Sequence, residues 1–347
     1  MMKILFLFFL LFLSMTSFGQ EKETCAAKQL VISGIQLHKE GEFQNAISKY
    51  DKALKLYNDY LPALAEKAFS LYALNKYTDA IAYCQKAIRD HSGEKGLKPV
   101  YITYGSVLDA MEKPDKALAI YDKGIQSFPH FYLLYFNRGI TFWKTGNTKQ
   151  AIKNFQKTII LQPQDASAHL ALASLWYRNN KKLPAFLAVC RYLSIENQGQ
   201  RSQKGILLLK NIMEAPIQGK KGFTPFKNLI TKAFETKEIK DNSWNSILSK
   251  ASFNNDKSLP DSIITIIKKI NSISEKDKIQ QDSFFYQQYY SPYFIAMQQN
   301  SFVQPFAYKI NLPIKNKYTT RWVNSHKLEM VRLYLWDRFY NWNDTKL

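Results

Sequence analysis

The sequence has 347 residues and a formal net charge of +20, with 46% apolar, 22% charged and 14% aromatic residues. This composition is typical of a folded globular protein and excludes wholesale disorder, and the length corresponds to about two domains. Three cysteines exclude a small disulfide-rich fold and a zinc site built from cysteine alone.

The N-terminus has the pattern of a secretory signal peptide. A positively charged start precedes an unbroken apolar run over residues 4–13, and Ser17 and Gly19 supply the small residues of a cleavage site. Because a membrane-spanning helix needs about twenty apolar residues, this run is too short for one, although an uncleaved anchor is the alternative. We predict that residues 1–19 are a signal peptide cleaved near Gly19–Gln20. The mature chain, without a membrane-spanning helix, is expected in a periplasm.

The positive charge is spread over both halves of the chain. In a cytosolic protein such a charge would favour nucleic acid as the partner. For an exported protein the available polyanions are acidic lipid headgroups, lipopolysaccharide and anionic wall polymers. We therefore expect no nucleic-acid partner. Weak association with an anionic envelope surface and a merely soluble basic surface both stay open.

A period of about 34 residues organises the sequence between residues 24 and 197. Five alanines, each at the start of the second helix of a predicted hairpin, are separated by 34, 37, 34 and 34 residues: Ala46, Ala80, Ala117, Ala151 and Ala185. A small residue stands twelve positions before each alanine, and an aromatic residue follows four positions after three of them. Because two helices approach closely only where side chains are small, this pattern predicts antiparallel helical hairpins.

This pattern resembles the tetratricopeptide repeat, whose signature is a 34-residue period with small residues, an aromatic residue and a closing proline in this order. The predicted units cover residues 27–60, 61–94, 98–131, 132–165 and 166–198. The resemblance covers about half of the chain. It implies an all-α fold in which a right-handed solenoid of hairpins presents a concave face lined by the first helix of each unit.

In the register of that family, thirteen side chains are candidates for a groove on the concave face. They are Ile35, His38, Lys39, Phe69, Tyr72, Ile102, Asp109, Phe136, Ile140, Trp143, Lys144, Tyr177 and Arg178. Relatives that bind chaperone tails hold a C-terminal carboxylate with Lys and Asn at such positions, but here apolar residues such as Val31 and Ile140 replace them, so that clamp is absent.

The candidate groove is apolar and aromatic, with a few cations at one edge. Such a surface suits an extended or helical peptide segment anchored by its aromatic contacts, while Lys144 and Arg178 are expected to attract acidic groups. The alternative is that the C-terminal half of the same chain covers these side chains, because large exposed apolar patches are unusual on a monomer.

After residue 198 the repeat register ends, and a smaller all-helical region is predicted. Residues 199–222 are predicted to form a capping helix and a linker, and residues 223–347 a helical domain. Apolar residues at helical spacing recur throughout this domain, and residues 284–306 are dense in aromatic side chains. No characterised family is assigned to this half.

Residues 320–342 are predicted to form one helix that carries several aromatic side chains and several arginines. One interpretation is binding to a membrane surface, since aromatic residues opposed by Arg and Lys are typical of interfacial helices. The other is packing within the helical domain, which is favoured because Glu329 and Asp337 dilute the basic face.

No constellation of catalytic or metal-binding residues is evident. The five histidines are not placed at metal-ligand spacing, and the serine-nucleophile motif G-x-S-x-G does not occur. Cys84 and Cys190 belong to second helices three units apart, which is too far for a disulfide, so both are predicted to be small core residues. We predict no cofactor, no metal and no small-molecule substrate.

The leading hypothesis is a non-catalytic, exported interaction protein whose repeats bind a protein or peptide segment in the candidate groove. One alternative is a protein that binds an anionic lipid or polymer surface through its charge and its last aromatic helix. The other alternative is an uncharacterised enzyme in the C-terminal half, since paired acid and base groups need not be close in sequence.

Overall fold

The computed structural model describes residues 25–213, 259–274 and 284–342. All regular structure in these ranges is helical, which confirms the predicted all-α class. The α-helices are α1 (25–39), α2 (Phe43–Leu56), α3 (Leu61–Ala73), α4 (Tyr77–Asp90), α5 (Lys98–Ala110), α6 (Pro114–Ser127), α7 (Tyr132–Lys144), α8 (Thr148–Leu161), α9 (Ala166–Arg178), α10 (Lys182–Ile195), α11 (Gly199–Met213), α12 (Leu259–Ser274), α13 (Phe284–Gln299), α14 (Val303–Ile310), α15 (Lys317–Ser325) and α16 (Lys327–Phe339). The predicted signal peptide and the predicted linker before residue 222 lie outside the described residues.

Two compact units divide the chain, the first ending at Asn147 and the second beginning at Thr148. The N-terminal unit contains α1 to α7, and the C-terminal unit contains α8 to α16. In the N-terminal unit α2 contacts α3, α3 contacts α4, and the same sequence of contacts continues to α7. Consecutive helices therefore form the hairpins that the 34-residue period predicts.

Small residues of one helix face aromatic rings of the next in the N-terminal unit. A Cβ atom added at Gly34 would overlap the ring of Tyr50, and one added at Gly105 would overlap the ring of Tyr121. Both tyrosines are buried. Because no side chain larger than hydrogen fits beside these rings, the spacing between small and aromatic residues in the sequence has a direct steric cause.

The turns inside the hairpins contain residues with positive φ, and Gly41 and Gly146 occupy two of these positions. Their φ angles are 84° and 81°, which glycine adopts without a steric penalty. The equivalent positions of the other hairpins hold Asn75, Glu112 and Asn180, also with positive φ. Asparagine tolerates this conformation better than glutamate does, so Glu112 is the strained member of the series.

Helix α10 forms the centre of the C-terminal unit. Every residue from Leu183 to Ser194 is buried, and α10 contacts α9, α11, α13 and α14. A helix that is apolar on all sides requires neighbours on all sides, which explains why the apolar run of this helix shows no amphipathic period. The C-terminal helices therefore pack around the last hairpin of their own unit.

The prediction of a single helix over residues 320–342 was wrong. Helix α15 ends at Ser325 and α16 begins at Lys327, with His326 between them. The Ser325 hydroxyl donates to backbone carbonyls of the preceding turn, and the His326 ring stacks on Trp322 with the ring centroids 4.0 Å apart. These local side-chain contacts compete with the helical hydrogen bonds and end α15.

Among the helices of the described ranges, none combines the length and the hydropathy that crossing a bilayer requires.

Candidate functional site

The first helices of the repeats in the N-terminal unit stand side by side. The ring of His38 on α1 stacks on that of Phe69 on α3, with the centroids 4.6 Å apart. Helix α3 contacts α5, and α5 contacts α7, where Asp109 and Lys144 form an ion pair. The members of the predicted groove in this unit therefore occupy equivalent positions along one row of helices.

We call these side chains the first-helix surface. Its members are the candidates Ile35, His38, Lys39, Phe69, Tyr72, Ile102, Asp109, Phe136, Ile140, Trp143 and Lys144. Phe69 is 43% exposed and both lysines are exposed. The Asp109 side chain is largely buried, and the other side chains are half-buried. Ile32, which the sequence analysis missed, also belongs to this surface, since it is 49% exposed and lies one helical turn before Ile35. Helical spacing alone could have identified it.

His38 presents an uncharged aromatic ring at one end of the first-helix surface. Burial lowers the pKa of His38 below its usual value, so the imidazole is neutral at pH 7. Its Nδ1 lies 2.7 Å from the hydroxyl oxygen of Ser70, and Phe43 packs edge-on against the ring at a centroid distance of 4.9 Å. These contacts hold the ring against Phe69 and leave the exposed edge of Phe69 accessible.

Each of the two lysines of the first-helix surface lies near a carboxylate. Lys144 Nζ is 2.8 Å from Asp109 Oδ2. Burial raises the pKa of Glu66 above its usual value, and the charge of Lys39 opposes this rise. Each cation thus has a carboxylate nearby, which makes the surface more neutral than its lysines alone suggest.

The remaining two candidates, Tyr177 and Arg178, lie at the end of α9 in the C-terminal unit. Tyr177 is half-buried and Arg178 is exposed, and burial lowers the pKa of Arg178. Within this unit α13 covers a different part of α9, because His169 Nδ1 lies 2.6 Å from the Tyr290 hydroxyl. Trp176 also packs against Tyr290, at a centroid distance of 6.3 Å. Helix α13 therefore contacts α9 at His169 and at Trp176.

A buried ion-pair cluster joins α10 to α14 and α16 in the C-terminal unit. Arg191 is fully buried, and its Nη1 donates to the Asp337 carboxylate, which also accepts a 2.9 Å hydrogen bond from the Tyr293 hydroxyl. Lys309 Nζ lies 3.5 Å from the same carboxylate, and burial lowers the pKa of this lysine. The Arg191 guanidinium lies 4.8 Å from the ring centroid of Trp342. The cluster fixes the position of α16 in its unit.

Within the described ranges, no group of three or more histidine, cysteine, aspartate or glutamate residues is placed to hold a metal ion. Cys84 and Cys190 are fully buried, which confirms that they are core residues. Burial raises the pKa of the Cys84 thiol to about 12, so this thiol is protonated and unreactive at neutral pH.

Comparison with known proteins identifies the repeat. The family model described as tetratricopeptide repeat matches residues 37–95 and 136–199. No curated protein matches the chain.

The chain is also similar to several solved structures. YrrB, a tetratricopeptide repeat protein with an unusual peptide-binding site, is 19% identical and has a TM-score of 0.39; the match covers 57% of this chain and 96% of YrrB. PilF of Pseudomonas aeruginosa is 18% identical with a TM-score of 0.45, and the match covers 56% of this chain and 90% of PilF. PilW, a widely conserved type IV pilus biogenesis factor, is 17% identical with a TM-score of 0.45, with 54% of this chain and 90% of PilW covered.

Proposed function

Residues 37–95 and 136–199 of the chain are tetratricopeptide repeats, and on this premise we propose that the protein is a non-catalytic scaffold that binds a protein or peptide segment on the first-helix surface. The observation that carries the proposal is the exposure of Phe69, a large aromatic side chain held rigidly by its stack on His38. A rigid aromatic anchor loses little conformational entropy when a partner covers it. Stacked repeats offer extended surfaces for such contacts.

The charge of the first-helix surface favours a ligand segment with apolar side chains over a strongly acidic one. Lys144 pairs with Asp109, and Lys39 interacts with Glu66, so little uncompensated positive charge remains there. Apolar contact at Ile32 and Phe69 would supply most of the binding energy, since burying apolar area yields about 25 cal/mol per Å². The affinity is then expected to depend only weakly on salt.

Selection of peptides from a random display library on the full chain tests this proposal. The selected peptides are titrated against the wild-type protein and against a double variant, Ile32→Ser with Phe69→Ser. The control is Leu56→Ser with Tyr57→Ser, which removes two apolar side chains of similar exposure from the end of α2. A loss of affinity of about tenfold or more in the first variant alone supports the first-helix surface.

Two outcomes contradict the proposed site. One is equal affinity of the peptides for the wild type and for the Ile32→Ser, Phe69→Ser variant. The other is an equal loss of affinity in both double variants, which would place the binding site elsewhere. Circular dichroism of each variant verifies that the helical content is unchanged, and the exposure of all four side chains makes this the expected result.

We further propose that the protein is exported after removal of residues 1–19. The support comes from the sequence, in which a positively charged start, a short apolar run and small residues at Ser17 and Gly19 follow each other in the order of a signal peptide. Mass spectrometry of the protein isolated from a bacterial host tests this proposal. An N-terminus at or next to Gln20 in the envelope fraction is expected, and an uncleaved chain in the cytoplasm contradicts it.

A further inference from the structure

Helix α16 buries one face and exposes an apolar stripe on the opposite face. Leu333 and Asp337, one turn apart, are buried in the C-terminal unit. The side chains on the opposite face are all exposed and lie three or four residues apart: Leu328, Val331, Leu335 and Phe339. We call these four residues the α16 stripe. Leu328 is 62% exposed and Phe339 is 75% exposed, so most of this apolar area contacts water.

Basic side chains flank the α16 stripe on both edges. At 100° per residue, Lys327 and Arg338 lie along one edge of the stripe and Arg332 along the other. All three are exposed, and Glu329 is the one exposed acidic residue of α16, since Asp337 is buried by its contacts with Arg191. The charge around the stripe is therefore strongly positive.

Helix α15, which contacts α16, adds further cations. Lys317 and Arg321 are exposed one turn apart, beside the polar side chains of Thr320 and Asn324, and these residues line a shallow open depression. Ammonium, guanidinium, hydroxyl and amide groups together are the donors that bind phosphate oxygens.

We propose that the α16 stripe docks on the surface of an anionic lipid bilayer. Apolar side chains in a row on one helix face, with Lys and Arg along the edges, are the pattern of a helix that lies in the membrane interface. The stripe would enter the boundary between headgroups and acyl chains, while Arg332 and Arg338 would contact lipid phosphates. The binding requires negative lipids, because one short helix buries too little apolar area to hold a protein of this size alone.

Charge complementarity selects this occupant over two others. A second copy of the chain would bring another stripe with basic edges against this one, and such like-charge contacts oppose association. Residues 214–258 of the same chain contain eight lysines against five acidic residues. The net charge of this segment is therefore positive, like that of the residues along the α16 stripe. An anionic bilayer complements the charge, and as a fluid surface it adapts to a single helix face without a preformed groove.

Co-sedimentation of the full chain with lipid vesicles tests the proposal. One set of vesicles contains phosphatidylglycerol and phosphatidylcholine in equal amounts, and the other contains phosphatidylcholine alone. The test variant is Leu328→Glu with Leu335→Glu, and its matched control is Ile160→Glu with Leu207→Glu, which introduces the same charges at exposed apolar positions of the same unit. The expected result is binding to the anionic vesicles only, weakened about tenfold or more in the test variant compared with the control.

A second pair of variants separates the effect of arginine contacts with lipid headgroups from the effect of the net charge of the protein. Arg332→Ala with Arg338→Ala is expected to weaken anionic vesicle binding more than Lys149→Ala with Lys153→Ala, which lowers the net charge equally at exposed positions of α8. If each test variant and its control weaken vesicle binding equally, the proposal is overturned. An absence of vesicle binding by the wild type also overturns it. Binding of acidic polyglutamate with the same dependence on the α16 stripe, but no vesicle binding, would assign the surface to an acidic protein instead.

Discussion

Lys144 Nζ lies 2.8 Å from Asp109 Oδ2, so an ion pair joins the first helices of the third and fourth repeats on the first-helix surface. The Asp109 side chain is largely buried, whereas that of Lys144 is 60% exposed. The repeat register predicts that Lys144 attracts acidic groups of a ligand. In the structure this lysine already has a carboxylate partner within the protein, which reduces its capacity to attract another.

Lys144→Gln separates the two roles of this lysine. We expect the free energy of unfolding to fall by about 1 kcal/mol, because the lysine side of the pair is open to water but the largely buried Asp109 carboxylate loses its counter-ion. Urea unfolding followed by circular dichroism measures this change. Affinity for the selected peptides is expected to change by less than about twofold, since apolar contacts dominate. A tenfold loss of affinity would show that Lys144 contacts an acidic group of the ligand.

The close contact between Gly105 and Tyr121 predicts a second effect. Gly105→Ala is expected to destabilise the N-terminal unit by about 1–2 kcal/mol, because the added methyl group overlaps the tyrosine ring and this strain exceeds the gain in helix propensity. Thermal unfolding measures the change. The second repeat supplies the control, since it combines Ala68 with Cys84 at the equivalent positions.

The double variant Gly105→Ala with Tyr121→Cys gives the third repeat the alanine and cysteine that the second repeat has at the equivalent positions. The smaller cysteine leaves room for the alanine methyl group, so we expect less destabilisation than the sum of the two single variants. Strict additivity would contradict the steric explanation of the repeat pattern.

Local periodicity explains which parts of the fold and of the site the sequence predicts. The 34-residue spacing of small residues requires close helix contacts, and Gly34 against Tyr50 is one of them. The spacing also assigns each candidate to a first helix. It does not predict that Asp109 and Lys144 pair with each other, because that contact depends on the side-chain conformations of two neighbouring helices.

Contacts outside the repeat pattern could not be predicted in this way. Arg191 and Asp337 are 146 residues apart in sequence, and no period relates them. The sequence predicts an amphipathic helix over residues 320–342, but it does not identify Leu328 or Leu335 as part of a second apolar face. Which face of a helix becomes buried depends on the neighbours that pack against it, and the sequence of the helix alone does not specify them.

The buried pair of Arg191 and Asp337 predicts a large effect on stability. Asp337→Asn is expected to destabilise the C-terminal unit by about 3 kcal/mol, because it leaves two buried cations, Arg191 and Lys309, without a counter-ion. Denaturant unfolding measures this loss of unfolding free energy. Hydrogen exchange of the α16 amides is expected to accelerate in parallel with it. The control Lys309→Met retains the pair and should cost much less, whereas equal costs would show that Lys309 is the essential partner.

His169 predicts a pH dependence of the stability of the C-terminal unit. Burial, together with the positive charge of Arg191, lowers the pKa of His169 to about 3, while the unfolded chain has the ordinary value near 6.5. Below pH 6.5 the unfolded state therefore binds a proton that the folded state excludes, and stability falls as the pH decreases. Above pH 6.5 both states are neutral at this residue, so the stabilisation is complete there.

Between pH 6 and pH 3.5, the contribution of His169 to the free energy of unfolding is expected to change with a slope that approaches about 1.4 kcal/mol per pH unit. Urea unfolding at a series of pH values measures it, with the His169→Gln variant as reference because glutamine does not titrate. The difference in unfolding free energy between the wild type and the variant should be constant above pH 7 and should decrease steadily below pH 6. A difference that is independent of pH would mean that the folded protein protonates His169, which its full burial against Tyr290 and the Pro163 carbonyl opposes.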